Sequence, residues 1–228
     1  MKYKKEQNLA RQRRIKRELK ERRNEIVETA EWFFIKQGYD QTMIDEVVKK
    51  AGYSKATLYN YFDSKDDLYL AVITRAFNAM FAIFQETFAE TDTRFELMTL
   101  GKAYLAFVDQ YPDYARLMDS GRLSLIIGAV IQKEQKKLEL NETEKMFRTV
   151  QLNIEKLMLQ IISVTMEEAG LKNSVDPFSV IMALSTLGTA INDLVRRAAS
   201  EDPSQNKARE YLEVLFNIID KGLKHYDD

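Results

Sequence analysis

Hydrophobic positions recur at helical spacing almost from end to end of this chain. Ile26, Ala30, Phe33 and Phe34 fall at i, i+4, i+7 and i+8, and neither Gly nor Pro interrupts residues 6 to 37. That pattern predicts one long first helix with Gly38 just past its end, where a left-handed residue would stop it. Its first half, to about Arg23, is polar on every side. Thr42 stands three before Asp45, and Ile44, Val47, Val48 and Ala51 make a short stripe that ends at Gly52, so a capped helix of about ten residues is predicted. Ser54 opens a third helix over residues 55 to 62, with Leu58 and Phe62 turned inward against Trp32, Phe33 and Val47. Ser64, with Asp67 three later, opens a fourth that meets no breaker from 65 to about 89.

From residue 71 onward six more helices are predicted. Thr93-x-x-Glu96 starts one that ends before Pro112, residues 113 to 118 form a short piece, and another runs from Gly121 to about Leu138. Asn141-x-x-Glu144 opens a long helix ending at Gly170. Asp176-Pro177 and Asp202-Pro203 each set a cap before a helix-starting proline, for helices over about 177 to 199 and 204 to 224. Eight Gly and three Pro among 228 residues leave far too few turn-makers for a sandwich or barrel. The fold class is therefore all-α.

Composition narrows the chemistry. There is no Cys, and the only His is His225, three residues from the C-terminus. Disulfides, thiolate nucleophiles, iron–sulfur clusters, cysteine-ligated zinc and histidine triads are thereby excluded. No Gly-rich phosphate loop is present, so the chain is read as no enzyme, with no cofactor and no metal. The longest apolar run, near residues 125 to 131, is far too short to span a bilayer, and a charged stretch follows the basic N-terminus. A cytoplasmic protein without a membrane partner is expected.

The net charge of −1 hides an asymmetry. Residues 1 to 23 carry eleven Lys and Arg against three Glu, a balance of +8, which leaves −9 for the rest. A basic arm on an acidic body points to an end that meets a polyanion. Like charges on a helix without an apolar face oppose its formation, so this half is expected to order against its partner. Residues 24 to 70 hold five basic and nine acidic side chains, so the arm supplies most of the electrostatic footprint.

Two short helices joined by Ala51-Gly52-Tyr53 have the proportions of a helix-turn-helix, in which a turn glycine lets the chain reverse. With Leu58 and Phe62 inward, Lys55, Ala56, Thr57, Tyr59, Asn60 and Tyr61 face outward after Ser54. Lys and Asn can reach base edges, Ala and Thr methyls can meet thymine methyls, and Tyr hydroxyls can meet phosphates. The helix starts at Thr42 and Ser64 can offer backbone N–H groups to phosphates, with Lys65 beside the second. Residues 11 to 23 would add contacts to phosphates or to the minor groove.

These residues carry a resemblance. Ala30-Glu31-Trp32-Phe33, Gly38-Tyr39-Asp40-Gln41-Thr42, the run from Ala51-Gly52-Tyr53-Ser54 through Lys55-Ala56-Thr57-Leu58-Tyr59-Asn60-Tyr61-Phe62, and Ser64-Lys65-Asp66-Asp67-Leu68 closely resemble the DNA-binding domain of the tetracycline-repressor (TetR) family. Tyr53 and Ala56 stand where that family often has a smaller aliphatic residue and glycine. The resemblance spans about residues 24 to 73. It implies a homodimer with a three-helix head, a larger effector-binding body, and repression relieved by a small molecule. It also implies phosphate or base contacts from Thr42, Lys55, Thr57, Tyr59, Tyr61 and Lys65. A basic arm (1–23), a DNA-binding head (24–70) and a ligand-binding, dimerising body (71–228) follow.

In the body, Ala183 and Gly188 permit close backbone approach beside the apolar Leu187 and Ile191, and Leu212, Leu215, Phe216 and Ile219 belong to a stripe broader than one neighbour within the chain would need. They are read as the dimer surface, the other reading being a helix pair buried within one chain. A dimer would present two recognition helices to a palindromic operator on double-stranded DNA, with half-sites about 34 to 36 Å apart. Phe77, Phe81, Phe84, Tyr104, Phe107, Tyr111, Tyr114, Met118, Met146, Phe147, Met158 and Met166 are candidates to line an apolar effector cavity, or else plain core. The fourth helix, unbroken from head to body, would relay effector binding. The competing function is an all-helical interaction or scaffold protein without sequence-specific DNA binding.

Overall fold

A computed structural model describes residues 2–90, 97–168 and 176–183, together with residues 186, 210, 214, 217, 218 and 221. The described residues contain helices and no strand. In chain order these are α1 (Lys2–Gln41), α2 (Ile44–Ala51), α3 (Lys55–Tyr59), α4 (Lys65–Glu90), α5 (Leu97–Gln110), α6 (Pro112–Met118), α7 (Gly121–Gln135) and α8 (Glu142–Glu168). Residues 177–183 are helical as well.

α1 differs from expectation at both ends. It is helical from Lys2, including the basic half that like-charge repulsion was expected to keep unformed without a partner. Two ion pairs one turn apart, Arg14 to Glu18 at 3.4 Å and Arg17 to Glu21 at 3.6 Å, offset part of that repulsion. At the other end Gly38 breaks the helix, but with φ 77° and ψ 175° rather than in the left-handed helical region. Few residues other than glycine tolerate that conformation. The chain then makes one more turn to Gln41.

Thr42 explains that extra turn and corrects its predicted role. Its hydroxyl donates to the Gly38 carbonyl at 2.7 Å and its N–H to the Tyr39 carbonyl at 3.3 Å, so Thr42 seals the end of α1. The residue capping α2 is Met43, whose side chain makes no capping hydrogen bond. Asp45 and Glu46 in the first turn of α2 oppose its positive dipole end instead.

Other caps follow the sequence. Glu144 N–H donates to Asn141 Oδ1 at 2.8 Å and Asn141 N–H to Glu144 Oε2 at 2.9 Å, the reciprocal box that Asn141-x-x-Glu144 predicts. Ser179 N–H donates to Asp176 Oδ2 at 3.0 Å, and the Ser179 side-chain and backbone hydrogen bonds hold the Asp176 carboxyl below its usual range. α7 stops at Gln135, short of the predicted Leu138, because Lys137 adopts φ 57°. α3 is five residues rather than eight, although Phe62 N–H still donates to the Leu58 carbonyl at 3.1 Å.

The chain divides into two compact units, the first made of Met1–Val72 with Gly128–Glu144 and the second of Ile73–Ile127 with Lys145–Asp228. The sequence placed residues 128–144 in the body; they group with the head. In the first unit Ile26, Val27, Ala30, Phe34, Val47, Val48, Leu58, Phe62, Leu68, Tyr69 and Val130 are buried. Tyr69 meets Phe34 and Tyr39 edge-on at 4.9 and 5.2 Å. In the second, Phe84, Ala103, Phe107, Ile154, Ile161 and Met166 belong to one apolar core. α4 is long and apolar enough to cross a membrane by length and composition, but most of that stretch is buried, as a core helix requires.

Candidate nucleic-acid interface

The turn between α2 and α3 is closed by backbone geometry. Gly52 sits at φ 75° and ψ 24°, the left-handed cap that a residue with a Cβ resists. Tyr53 N–H donates to the Val48 carbonyl at 2.9 Å. Ser54 Oγ then accepts from Thr57 N–H at 3.1 Å and lies 2.8 Å from the Thr57 hydroxyl, which starts α3. Leu58 and Phe62 are fully buried.

Burial on one side leaves the other free. Ser54, Lys55, Ala56, Tyr59 and Asn60 are exposed, and Thr57 and Tyr61 are half-buried. Lysine, small methyl-bearing, hydroxyl and amide groups thus share one outward end of a short helix. Such an end can enter a major groove and offer both base-edge and phosphate contacts.

Carboxylates hold the polar groups around it. Lys55 Nζ lies 2.9 Å from Asp45 Oδ1, and that hydrogen bond, with the charge of Asp45, pushes the ammonium pKa up. Tyr53 donates its hydroxyl to Glu25 Oε2 at 2.5 Å, which raises the phenol pKa. Lys65 Nζ reaches the Asp40 carbonyl at 3.4 Å and lies 4.3 Å from the centre of the Tyr39 ring. Tyr39 in turn hydrogen-bonds Asp66.

Two expectations need correction. Thr42, expected at a phosphate, is completely buried with its hydroxyl committed to Gly38. Trp32, expected beneath Leu58 and Phe62, is 45% exposed, edge-on to Phe33 with Lys50 Nζ 3.3 Å from its ring centre. A cation over an indole face is a favourable surface arrangement, and it leaves Phe62 to another neighbour.

That neighbour is Arg23, counted in the sequence as part of the basic arm. Its guanidinium lies 4.8 Å from the Phe62 ring centre, and its Nη2 donates to Thr143 Oγ1 at 2.9 Å. Burial lowers its pKa, while the carboxylates of Glu142 and Asp67 act against that shift. Arginine stays charged in such a setting, and the half-buried guanidinium of Arg23 ties Phe62 to Thr143 within the first unit. Asn141 Nδ2 bridges Asp63 Oδ2 at 2.9 Å and Asp67 Oδ1 at 3.1 Å. Burial pushes the Asp67 carboxyl up, against hydrogen bonds from Asp63 N–H, Asn141 and Thr143. The only sequence signal for this cluster was the cap at Asn141 and a basic residue three before Ile26.

The predicted effector residues gather in the second unit. Phe84, Phe107 and Phe147 are buried, and Phe77, Phe81, Tyr104, Tyr111, Tyr114, Met118 and Met158 are half-buried. Phe77 meets Phe147 at 5.2 Å, and Tyr111 stacks on Tyr114 at 5.7 Å. Met166 is buried core, and Met146 is 45% exposed. Of the predicted dimer residues Ala183 is exposed in the segment 177–183, whereas Leu187, Gly188, Ile191, Leu212, Leu215, Phe216 and Ile219 lie outside the described residues.

Residues 26–72 match the family profile described as bacterial regulatory proteins, tetR family. This stretch of the head is thus similar to the DNA-binding domain of tetR-family regulatory proteins. It is 34% identical over 99 residues to the transcriptional activator FasR of Mycolicibacterium smegmatis, covering 43% of this chain and 45% of that one. It is 32% identical over 56 residues to IcaR of Staphylococcus epidermidis, a negative transcriptional regulator, covering 25% and 30%. The chain thus spans less than half the length of these two curated relatives. Its fold is similar over 88% of its length to the fatty acid degradation regulator FadR of Bacillus halodurans, with a TM-score of 0.59, 15% identity and 93% of that chain covered. FadR of Bacillus subtilis, solved with stearoyl-CoA, aligns over 88% of this chain and 97% of its own with a TM-score of 0.52 and 14% identity.

Proposed function

We propose that this chain is a tetR-family homodimeric repressor that binds a palindromic operator and leaves it when a largely apolar small molecule enters the body. The observation that carries the DNA-binding part is the exposed end of α3, where Lys55, Ala56, Tyr59 and Asn60 face outward over a buried Leu58. One such short helix makes few base contacts, and two half-sites double them.

The arm is the second contact. As a helix, α1 is about 10 Å across with its side chains, too wide for a minor groove of about 6 Å. Its first twenty residues extend about 30 Å. Residues 11 to 22 therefore engage phosphates flanking each half-site rather than the minor-groove floor. Arg23, held by Thr143, takes no part.

An apolar effector fits a second unit whose half-buried Phe77, Phe81, Tyr104, Tyr111 and Tyr114 offer rings and hydroxyls around an apolar core. The stearoyl-CoA solved with the Bacillus subtilis FadR carries a long apolar acyl chain, the part such a core would suit, on a charged CoA group. α4 runs unbroken from residues of the first unit into those of the second, so it is the relay through which effector binding would lower operator affinity.

Selection from a pool of random duplexes tests this reading. The full chain should enrich a palindrome with half-sites one helical turn apart, and a reporter placed behind that motif should be repressed. Enrichment of nothing at low salt would leave the scaffold reading, and activation of the reporter would reverse the sign of regulation.

A further inference from the structure

Lys55 is the single Lys or Arg between residues 51 and 64, so the recognition helix and its turn carry one cation. It sits at the first position of α3, at the end that would meet DNA first. Its ammonium is 2.9 Å from Asp45, and both side chains are open to solvent, 53% and 70% exposed. An exposed ion pair of this kind contributes little to folding. Asp45 therefore has little to do for the head's stability through Lys55, and its consequence lies elsewhere.

We propose that Asp45 is a positioning residue that sets specificity, by holding Lys55 so that α3 offers its cation only where the correct site returns more than the ion pair it must leave. The inference rests on the DNA-binding reading. A free Lys55 would be drawn to any phosphate, and that attraction is the same for every sequence. Held by Asp45, it exchanges one anion for another when it meets a phosphate, and gains little. Two acceptors on one guanine edge, where a guanine stands at the position that α3 presents, offer a contact that a duplex with another base there does not. Glu25, which accepts the Tyr53 hydroxyl at 2.5 Å, adds a second carboxylate to the same turn. Discrimination against the many competing sites matters more for a regulator than bare affinity. The basic arm can then supply attraction while α3 stays selective.

The test is Asp45→Asn in the full-length chain, with affinity measured by fluorescence anisotropy for the selected operator and for a scrambled duplex of equal length, across a range of salt. The variant should bind the scrambled duplex about fivefold tighter and the operator less than twofold tighter, so discrimination falls. Its salt slope on the scrambled duplex should steepen by about 0.9, the value of one added phosphate partner. In a Lys55→Gln background the same substitution should change neither affinity. Circular dichroism melting confirms that each variant folds. Equal gains on both duplexes, no gain on either, or a gain that persists without Lys55 would each overturn the inference while leaving DNA binding intact. A wild-type chain that selects no duplex at all would overturn both.

Discussion

The two halves of α1 are continuous in backbone and opposite in use. From residues 7 to 22 the side chains are exposed apart from a half-buried Glu18, and even Leu9, Ile15 and Leu19 stay open to solvent. From Arg23 onward the same helix buries Ile26, Val27, Ala30 and Phe34 and receives the rest of the head. Residues 1 to 23 carry eleven Lys and Arg against three Glu, whereas the head carries a core and an excess of acid. Attraction to a polyanion and the shape that reads it are thereby separated along one rod. A head tuned for contact geometry need not be strongly basic, and a basic arm need not be selective.

Three changes would break or sharpen that contrast. The largest effect is expected from Phe34→Ala, which removes a fully buried ring and should cost the head about 3 to 5 kcal/mol in chemical denaturation, with loss of DNA binding. Leu19→Ala, one half of the helix away, should stay within about 0.5 kcal/mol. Comparable losses at both positions would mean that the arm has a packing role.

Next comes deletion of residues 1 to 20, which takes away nine of the arm's eleven Lys and Arg. Stability should not change, operator affinity should fall, and the slope of log K against log salt should flatten by about 0.9 for each phosphate that the arm no longer neutralises. An unchanged slope would rule out the arm as a DNA-binding element.

The smallest and most discriminating change compares adjacent arginines. Arg23→Ala should cost about 2 kcal/mol of stability by removing the hydrogen bond to Thr143 and the cation from the Phe62 ring, with no change in salt slope. Arg22→Ala should cost less than about 0.5 kcal/mol and reduce the slope by about 0.9. The reverse pattern would move the boundary between arm and core.

Much of the fold could be read from caps. Ser54, Asn141 and Asp176 hold helix starts where their spacing places them, and Gly52 takes the left-handed turn that a helix-turn-helix needs. The outward face of α3 followed from Leu58 and Phe62, because burying that side of so short a helix orients the rest. Thr42 was misread for a physical reason. A threonine between two helices can cap the second or donate back to the first, and local sequence looks the same in both cases. Arg23 was hidden among ten other basic residues, and what distinguishes it, Thr143 at 120 positions' remove, is purely tertiary. The grouping of residues 128–144 with the head is likewise invisible to periodicity, which reports faces and not partners.

The most direct test of this division of labour is a parallel selection from random duplexes, with the full chain and with a chain lacking residues 1 to 20. Both should enrich the same palindrome, the shortened chain with weaker binding, because the arm contributes charge and the end of α3 reads bases. A motif that changes, loses flanking A·T pairs or vanishes on truncation at low salt would contradict the account.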